Sequence, residues 1–259
     1  MPDPIPDWRL TTYDSLPSTS DFCIARAEAG EPAGLAVRAR TQTSPRGSRG
    51  RSWSEASGTL ALSVLLRPRA EPGTTATWPF LAALAFHDAL CFRPDHRAAI
   101  RLKWPNDVML HGRKLGGILI ERSIAPAEAS DSGWMVIGFG ANLAARPDLA
   151  DRNAACLSEL GAPPSADAIA TRLLDAVSFW MAQAAAGGFA LLRDAWLERA
   201  HPPGTELAVR TADGQTTGSF CSIAEDGALL LSVAGSVRRF STGEILQLQG
   251  PDTPEPGRA

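Results

Sequence analysis

Apolar positions along this chain of 259 residues follow two periods, and the switches between them lay out its elements. Residues 35–39 and 59–66 are apolar β-type runs bounded by glycine and polar residues, which predicts two strands joined by the loop between them. Before them, after a first extended segment, Leu16-Pro17-Ser18-Thr19-Ser20-Asp21 reads as a helix start, with hydroxyl caps and an early acid. Gly30 reads as the stop, so a helix is predicted over 21–29. Residues 75–90 are apolar at helical spacing and rich in alanine and leucine, whereas 100–104, 117–122 and 134–140 read as further strands. Helical spacing returns over 166–185 and 189–199. The whole is an α+β pattern with a mixed sheet. Pro202-Pro203-Gly204 then breaks the chain. Beyond it, short β runs at 205–211, 216–223, 228–232, 237–241 and 244–248 are separated by Asp213-Gly214, Asp226-Gly227 and Gly235-Ser236. Turns at such close, even spacing predict a small antiparallel barrel. The expected division is a first domain over 1–201, a barrel over 202–250 and a proline-rich, disordered tail over 251–259.

Composition narrows the function classes. The formal net charge is −3, so the chain as a whole is not built to coat nucleic acid, and any anion site must come from a local arrangement of arginine and lysine. Cys23, Cys91, Cys156 and Cys221 form no Cys-x-x-Cys pair and have no histidine at metal-ligand spacing, so they read as reduced thiols and no metal-ligand set is expected. The proline-rich, acidic start is the opposite of a signal peptide, and no apolar span is long enough to cross a bilayer, which makes the cytoplasm the expected location.

Two stretches carry the candidate chemistry. The first is Ser44-Pro45-Arg46-Gly47-Ser48-Arg49-Gly50-Arg51-Ser52-Trp53, which places three arginines among glycines and serines. Nothing in it before Trp53 can bury apolar area, so its cations either sit in water, as a solvated hairpin tip, or hold something anionic. Arginine forks bind phosphate or carboxylate bidentately, at roughly 1.5 to 3 kcal/mol net for each charge-assisted bond. A loop that orders over its ligand also excludes water, which matters for a hydrolysable intermediate. Neither Gly-x-x-x-x-Gly-Lys-Ser/Thr nor Gly-x-Gly-x-x-Gly is present, which argues against P-loop chemistry. The second stretch is Lys103-Trp104-Pro105-Asn106-Asp107, a strand-ending turn that presents polar groups, followed by Lys114-Leu115-Gly116-Gly117, where paired glycines let a ligand or a backbone approach beside a lysine. Gly138-Phe139-Gly140-Ala141-Asn142-Leu143 repeats the device, with Asn142 as a base-reading amide or a turn cap. Trp78, Trp134, Trp180 and Trp196 read as core, and the four histidines form no catalytic constellation.

Taken together, these motifs resemble the bacterial biotin protein ligases. The similarity runs through Ser18-Thr19-Ser20, Gln42, Arg46 to Trp53, Lys103 to Asp107, Lys114 to Leu119 and Gly138 to Leu143 in family order, then more weakly through Asp226 to Leu231 and Gly243-Glu244-Ile245. It implies a class II aminoacyl-tRNA-synthetase-like catalytic domain followed by an SH3-like barrel. It also implies a reaction in which biotin and ATP-Mg2+ give biotinoyl-5'-AMP, which the lysine of the biotin carboxyl carrier protein of acetyl-CoA carboxylase then attacks. Carriers of other biotin-dependent carboxylases and a homodimer are compatible with it.

By the same resemblance, Lys114, Arg46, Lys103 and Asp107 are the catalytic residues. Ser18, Thr19, Ser20, Gln42, Arg46, Gly47, Ser48, Lys114, Gly117 and Gly138 contact biotin, and Arg49, Arg51, Trp53, Asn106, Ile118 and Asn142 contact ATP. The chain departs from the family pattern at Pro45, where a glycine is usual, at Ser48, where an arginine is usual, and at Ser20, where asparagine is usual. Pro45 restricts the flap and Ser48 removes a cation from the cage, which implies weaker retention of the adenylate. The chain starts at the catalytic domain, which implies no DNA binding. Competing readings are a related ligase acting on lipoate or octanoate, a nucleic-acid-binding module using the arginine loop, and a biotin binder without chemistry. Gln42 beside Ser18 and Thr19 suits a ureido ring and argues against the first.

Overall fold

The computed structural model describes residues 3–54, 56, 58–68, 76–123, 133–147 and 154–249. The expected tail over 251–259 and Thr75, at the expected start of the second helix, lie outside the described residues. The elements run β1 (Arg9–Leu16), α1 (Thr19–Glu28), β2 (Leu35–Gln42), β3 (Thr59–Leu66), α2 (Thr77–Leu90), α3 (His96–Ala99), β4 (Ile100–Lys103), β5 (Asp107–Leu110), β6 (Arg113–Arg122), β7 (Met135–Asn142) and α4 (Ala166–Arg199). Five short strands follow: β8 (Glu206–Thr211), β9 (Gly214–Ile223), β10 (Leu229–Val233), β11 (Ser236–Phe240) and β12 (Glu244–Gln249).

The first sheet has the order β1-β2-β3-β7-β6-β5-β4, with β1 and β2 parallel and every other pair antiparallel, so it is mixed as expected. The central strand β3 is buried on both faces, which is why it reads as an apolar run interrupted only by Ser63 after its opening Thr59. Leu60, Leu62 and Val64 turn toward α2 and α4, where Leu81, Leu84 and Phe86 are fully buried. Each such side chain contributes on the order of 1.5 to 3 kcal/mol. The alternate positions face α1, where Leu65 meets Cys23 and Ala27, and Val37 and Val136 join them. With only ten residues, α1 covers only the β2-β3-β7 part of this face. The rest of the face is left for a cavity.

Ser18 caps α1, its hydroxyl accepting from the Asp21 amide, and Asp21 places an acid against the helix N-terminus. The helical pair expected over 166–199 is α4, broken where Gly188 takes φ 63° and ψ −162°, a left-handed value that favours glycine. Trp180 and Arg199 both donate to Asp88, at 3.0 and 3.4 Å, and so pin α4 to α2.

The second sheet, β11-β10-β9-β8-β12, is antiparallel throughout, as the turn spacing predicted. It docks on the first through Trp104, whose indole Nε1 donates to the Gly227 carbonyl at 3.1 Å. Three strands differ from expectation by more than two residues. β2 continues to Gln42 because it stays paired with β1. β6 begins at Arg113 in place of 117, and Asp107, read as part of a turn, opens β5. A four-residue strand cannot display a period, and only its pairing on both sides reveals it.

Candidate active site

The cavity floor is a single rung of the first sheet. Ala61 pairs with Gly140, Gly140 with Gly117, Gly117 with Asp107 and Asp107 with Lys103, so all five present the same face. The two central positions have no side chain, which makes a trough between Ala61 and Asp107. In the next rung Ser63 pairs with Gly138 and Gly138 with Leu119. Lys114 joins this face through a β-bulge. Val108 pairs with Gly116 but Met109 pairs with Lys114, leaving Leu115 extra. Without the bulge, Lys114 and Gly117 would lie on opposite faces; with it, the Lys114 Nζ lies 3.3 Å from where a Cβ on Gly117 would stand.

The trough has two chemically different ends. At one end the Thr19 amide and hydroxyl both donate to Gln42 Oε1, at 2.9 and 3.2 Å, and the hydroxyls of Thr19 and Ser20 meet that of Ser63 at 2.8 and 3.0 Å. Gly138 belongs here for a steric reason: a Cβ on it would stand 2.6 Å from Ser20 Oγ. At the other end Asp107 is held between Lys114, at 2.5 Å, and Lys103, at 3.1 Å. Burial alone would raise the Asp107 carboxyl, but Lys114 and then Lys103 outweigh it and hold it below the usual carboxylate range. Two ammonium groups against one carboxylate leave this end cationic. Asn106 closes the corner, its amide donating to the Ile118 carbonyl at 2.7 Å.

Residues 45–53 form a closed flap over the trough. The Gly47 amide donates to the Arg51 carbonyl at 2.7 Å and the Trp53 amide to the Pro45 carbonyl at 3.0 Å, with Arg46 bridged to Ser52 and Gly50 in the left-handed region at φ 71°. Trp53 lies on the glycine floor, where a Cβ on Gly140 would stand 3.1 Å from its ring, and Lys114 Nζ lies 5.6 Å from the ring centroid. Arg46 grips Glu121 with both terminal nitrogens, at 2.8 and 2.6 Å, and reaches Asp21 at 2.7 Å. Arg51 reaches Glu244 of β12 at 2.6 Å, and Lys103 donates to the Ile245 carbonyl at 3.2 Å, so the second sheet supplies part of the wall. The cavity so enclosed holds about 870 Å³. Its lining carries Arg46, Arg51, Lys103, Arg113, Lys114 and Arg210 against Asp107 and Glu244, which suits a ligand with a neutral polar head and an anionic end.

The match to the Biotin/lipoate A/B protein ligase family covers residues 14–141, which include the whole floor and flap. The chain is 36% identical over 201 residues to the biotin--[acetyl-CoA-carboxylase] ligase of Paracoccus denitrificans, covering 75% of this chain and 82% of that protein. This chain belongs to the biotin protein ligase family. The ligase of the same name from Mycobacterium tuberculosis is 32% identical over 249 residues, covering 93% and 90% of the two chains. Among solved structures, the biotin protein ligase from Aquifex aeolicus in complex with biotin and ATP superposes with a TM-score of 0.75 at 23% identity, covering 92% of this chain and 97% of that one. The fold of this chain is therefore the class II aminoacyl-tRNA-synthetase-like one of the biotin ligases, a mixed seven-stranded sheet with a second, antiparallel five-stranded sheet.

Most residues that the biotin ligase motifs single out converge on the cavity: Ser18, Thr19, Ser20, Gln42, Arg46, Gly47, Ser48, Arg51, Trp53, Lys103, Asn106, Asp107, Lys114, Gly117, Ile118 and Gly138 all line it. Asn142 does not. It is buried outside the lining, and its amide donates to the Ala155 carbonyl at 3.0 Å, a bond from the end of β7 to a segment 13 residues on. The Arg49 side chain lies outside the described residues. Sequence reasoning missed Ser63, Glu121 and Glu244 as neighbours of the site. Ser63 is a fully buried hydroxyl inside an apolar strand, and Glu121 is a lone acid ending the run Gly117-Ile118-Leu119-Ile120; those interruptions were the available signals.

Proposed function

We propose that the chain is an ATP-dependent ligase that activates biotin as biotinoyl-5'-AMP and transfers it to a lysine of the biotin carboxyl carrier protein of acetyl-CoA carboxylase. The observation that carries this reading is the trough, with a hydroxyl and amide cluster at one end, a lysine-bracketed carboxylate at the other and a flap above both. In this reading the biotin head lies against Ser18, Thr19, Ser20 and Gln42, and its carboxylate lies toward Lys114. A carboxylate oxygen attacks the α-phosphorus of ATP and pyrophosphate leaves. Lys114 and Lys103 stabilise charge that develops on the phosphoryl oxygens. The acceptor amine then attacks the anhydride carbonyl, releasing AMP.

Asp107 acts here as the electrostatic anchor of the two lysines. A carboxyl held below its usual range, with both oxygens engaged by lysine, is a poor general base at neutral pH. Arg49, Arg51, Trp53, Asn106 and Ile118 frame the nucleotide. The Trp53 Nε1, buried without a partner among the described residues, supports a ligand beside it. Mg2+ comes with the phosphates of ATP. Both Asp107 oxygens are engaged by lysine, at 2.5 and 3.1 Å.

The reading divides the chain into a catalytic unit over 1–201 and a barrel over 202–250. It places the protein in the cytoplasm, in keeping with four unpaired cysteines, of which Cys23 and Cys91 are pushed up to about 12 mainly by burial. None of the described helices is long and apolar enough to cross a membrane. Incubation with biotin, ATP and a carrier domain is expected to add one biotin to one lysine, read by mass spectrometry; an unlabelled carrier would overturn the proposal.

A further inference from the structure

Glu121 lies on the cavity face of β6, in the rung Leu65-Val136-Glu121 beyond Gly138 and Leu119. It therefore stands at the rim of the trough, outside the lining. Its carboxylate accepts from both terminal nitrogens of Arg46, which donates also toward Asp21 in the first turn of α1. Arg46 thus ties the flap at once to the sheet and to the helix turn that carries Thr19 and Ser20. Its guanidinium is held strongly protonated, the Glu121 hydrogen bond being the largest cause. The opposite side of the flap is tied by Arg51 to Glu244.

We infer that Glu121 is a positioning residue for the flap, acting through Arg46 to anchor residues 45–53 over the cavity and so to slow the escape of what lies beneath. An isolated surface ion pair contributes little, but a bidentate arginine shared between two carboxylates is the geometry in which such pairs count. Retention of biotinoyl-AMP as the specific consequence rests on the function proposed above; the anchoring itself does not.

Glu121→Gln keeps size and removes the charge. In the ligand-free protein, trypsin cleavage after Arg49 and Arg51 is expected to accelerate roughly two- to fivefold. The dissociation rate of biotinoyl-AMP formed in situ is expected to rise by a similar factor, with kcat for biotin-dependent pyrophosphate exchange unchanged. Because Glu121 acts through Arg46, the double variant with Arg46→Lys is expected to be no more susceptible to trypsin than the worse single variant. Asp21→Asn, on an exposed site, is expected to give the same change more weakly. Wild-type cleavage and release in a Glu121→Gln protein of unchanged Tm, or additive effects in the double variant, would overturn the inference. If the wild-type protein makes no biotinoyl-AMP, the trypsin comparison alone decides the anchoring, and the functional proposal fails separately.

Discussion

The floor of the cavity and the flap above it are built by opposite means. Floor positions are set by strand register and by apolar packing on the far face, and their chemistry depends on absent atoms: Gly117, Gly138 and Gly140 leave the space, and one bulge delivers Lys114 into it. The flap buries little and is held by charge, with Arg46 on Glu121 and Asp21 and Arg51 on Glu244. A packed floor fixes where a ligand sits to within a methyl group. A charge-held flap governs how long it stays. The comparison predicts that floor substitutions change binding and chemistry, whereas flap substitutions change release.

The largest effect is expected at the floor. Lys114→Ala removes the nearer of the two cations beside Asp107, and biotin-dependent ATP–pyrophosphate exchange is expected to fall by roughly 10²- to 10³-fold while Tm holds. Near-normal exchange would show that the bulge serves packing alone. Gly138→Ala comes next. Its new methyl would stand 2.6 Å from a Ser20 hydroxyl already bonded to Ser63, so the KM for biotin is expected to rise about tenfold with the KM for ATP little changed. An equal rise in both would blur the two ends of the trough into one. On the flap, Ser48→Arg restores a cation facing the cavity, and release of biotinoyl-AMP is expected to slow a few-fold without a change in its rate of formation. A change confined to formation would place Ser48 with the floor.

The smallest effect on activity concerns the junction between the sheets, where His201 is buried and its imidazole is lowered to about 4, first by burial and then by Lys103 and Arg101. The folded protein keeps this histidine neutral while the unfolded chain protonates it below about 6.5. The unfolded state therefore binds more protons between about pH 4 and 6.5, and stability falls as pH drops through that window, by at most about 1.4 kcal/mol per pH unit. His201→Asn is expected to flatten that slope in urea titrations. An unchanged slope would assign the lability in this window to other groups than His201; Asp107 is not one of them, because its depressed carboxyl contributes stability that is lost only below the ordinary carboxylate value of about 3.9.

The contrast between floor and flap also explains what could be read in advance. The long strands, the long helices and the turns of the second sheet were legible, the strands and helices because buried faces impose a period on the sequence, as in β3 and α2, whereas the four-residue α3 was not. The motif residues were legible as residue types, and nearly all of them reach the cavity. Three further things were not legible. β5 is too short to show a period, and the bulge at Leu115 depends on pairing with a strand that was itself unseen. Asn142 follows a glycine run like a ligand-binding amide, yet its position on β7 points it at the Ala155 carbonyl. The partners of the flap lie 75 and 193 residues away in the chain, at Glu121 and Glu244, and no local pattern links a cation to a carboxylate at that range.

Exchange of labelled pyrophosphate into ATP tests the central claim most directly, because it reads acyl-adenylate formation without needing a carrier protein. The account predicts exchange that requires biotin and is not supported by lipoate or octanoate. Exchange that proceeds equally with those acids, or no exchange with biotin, would contradict it.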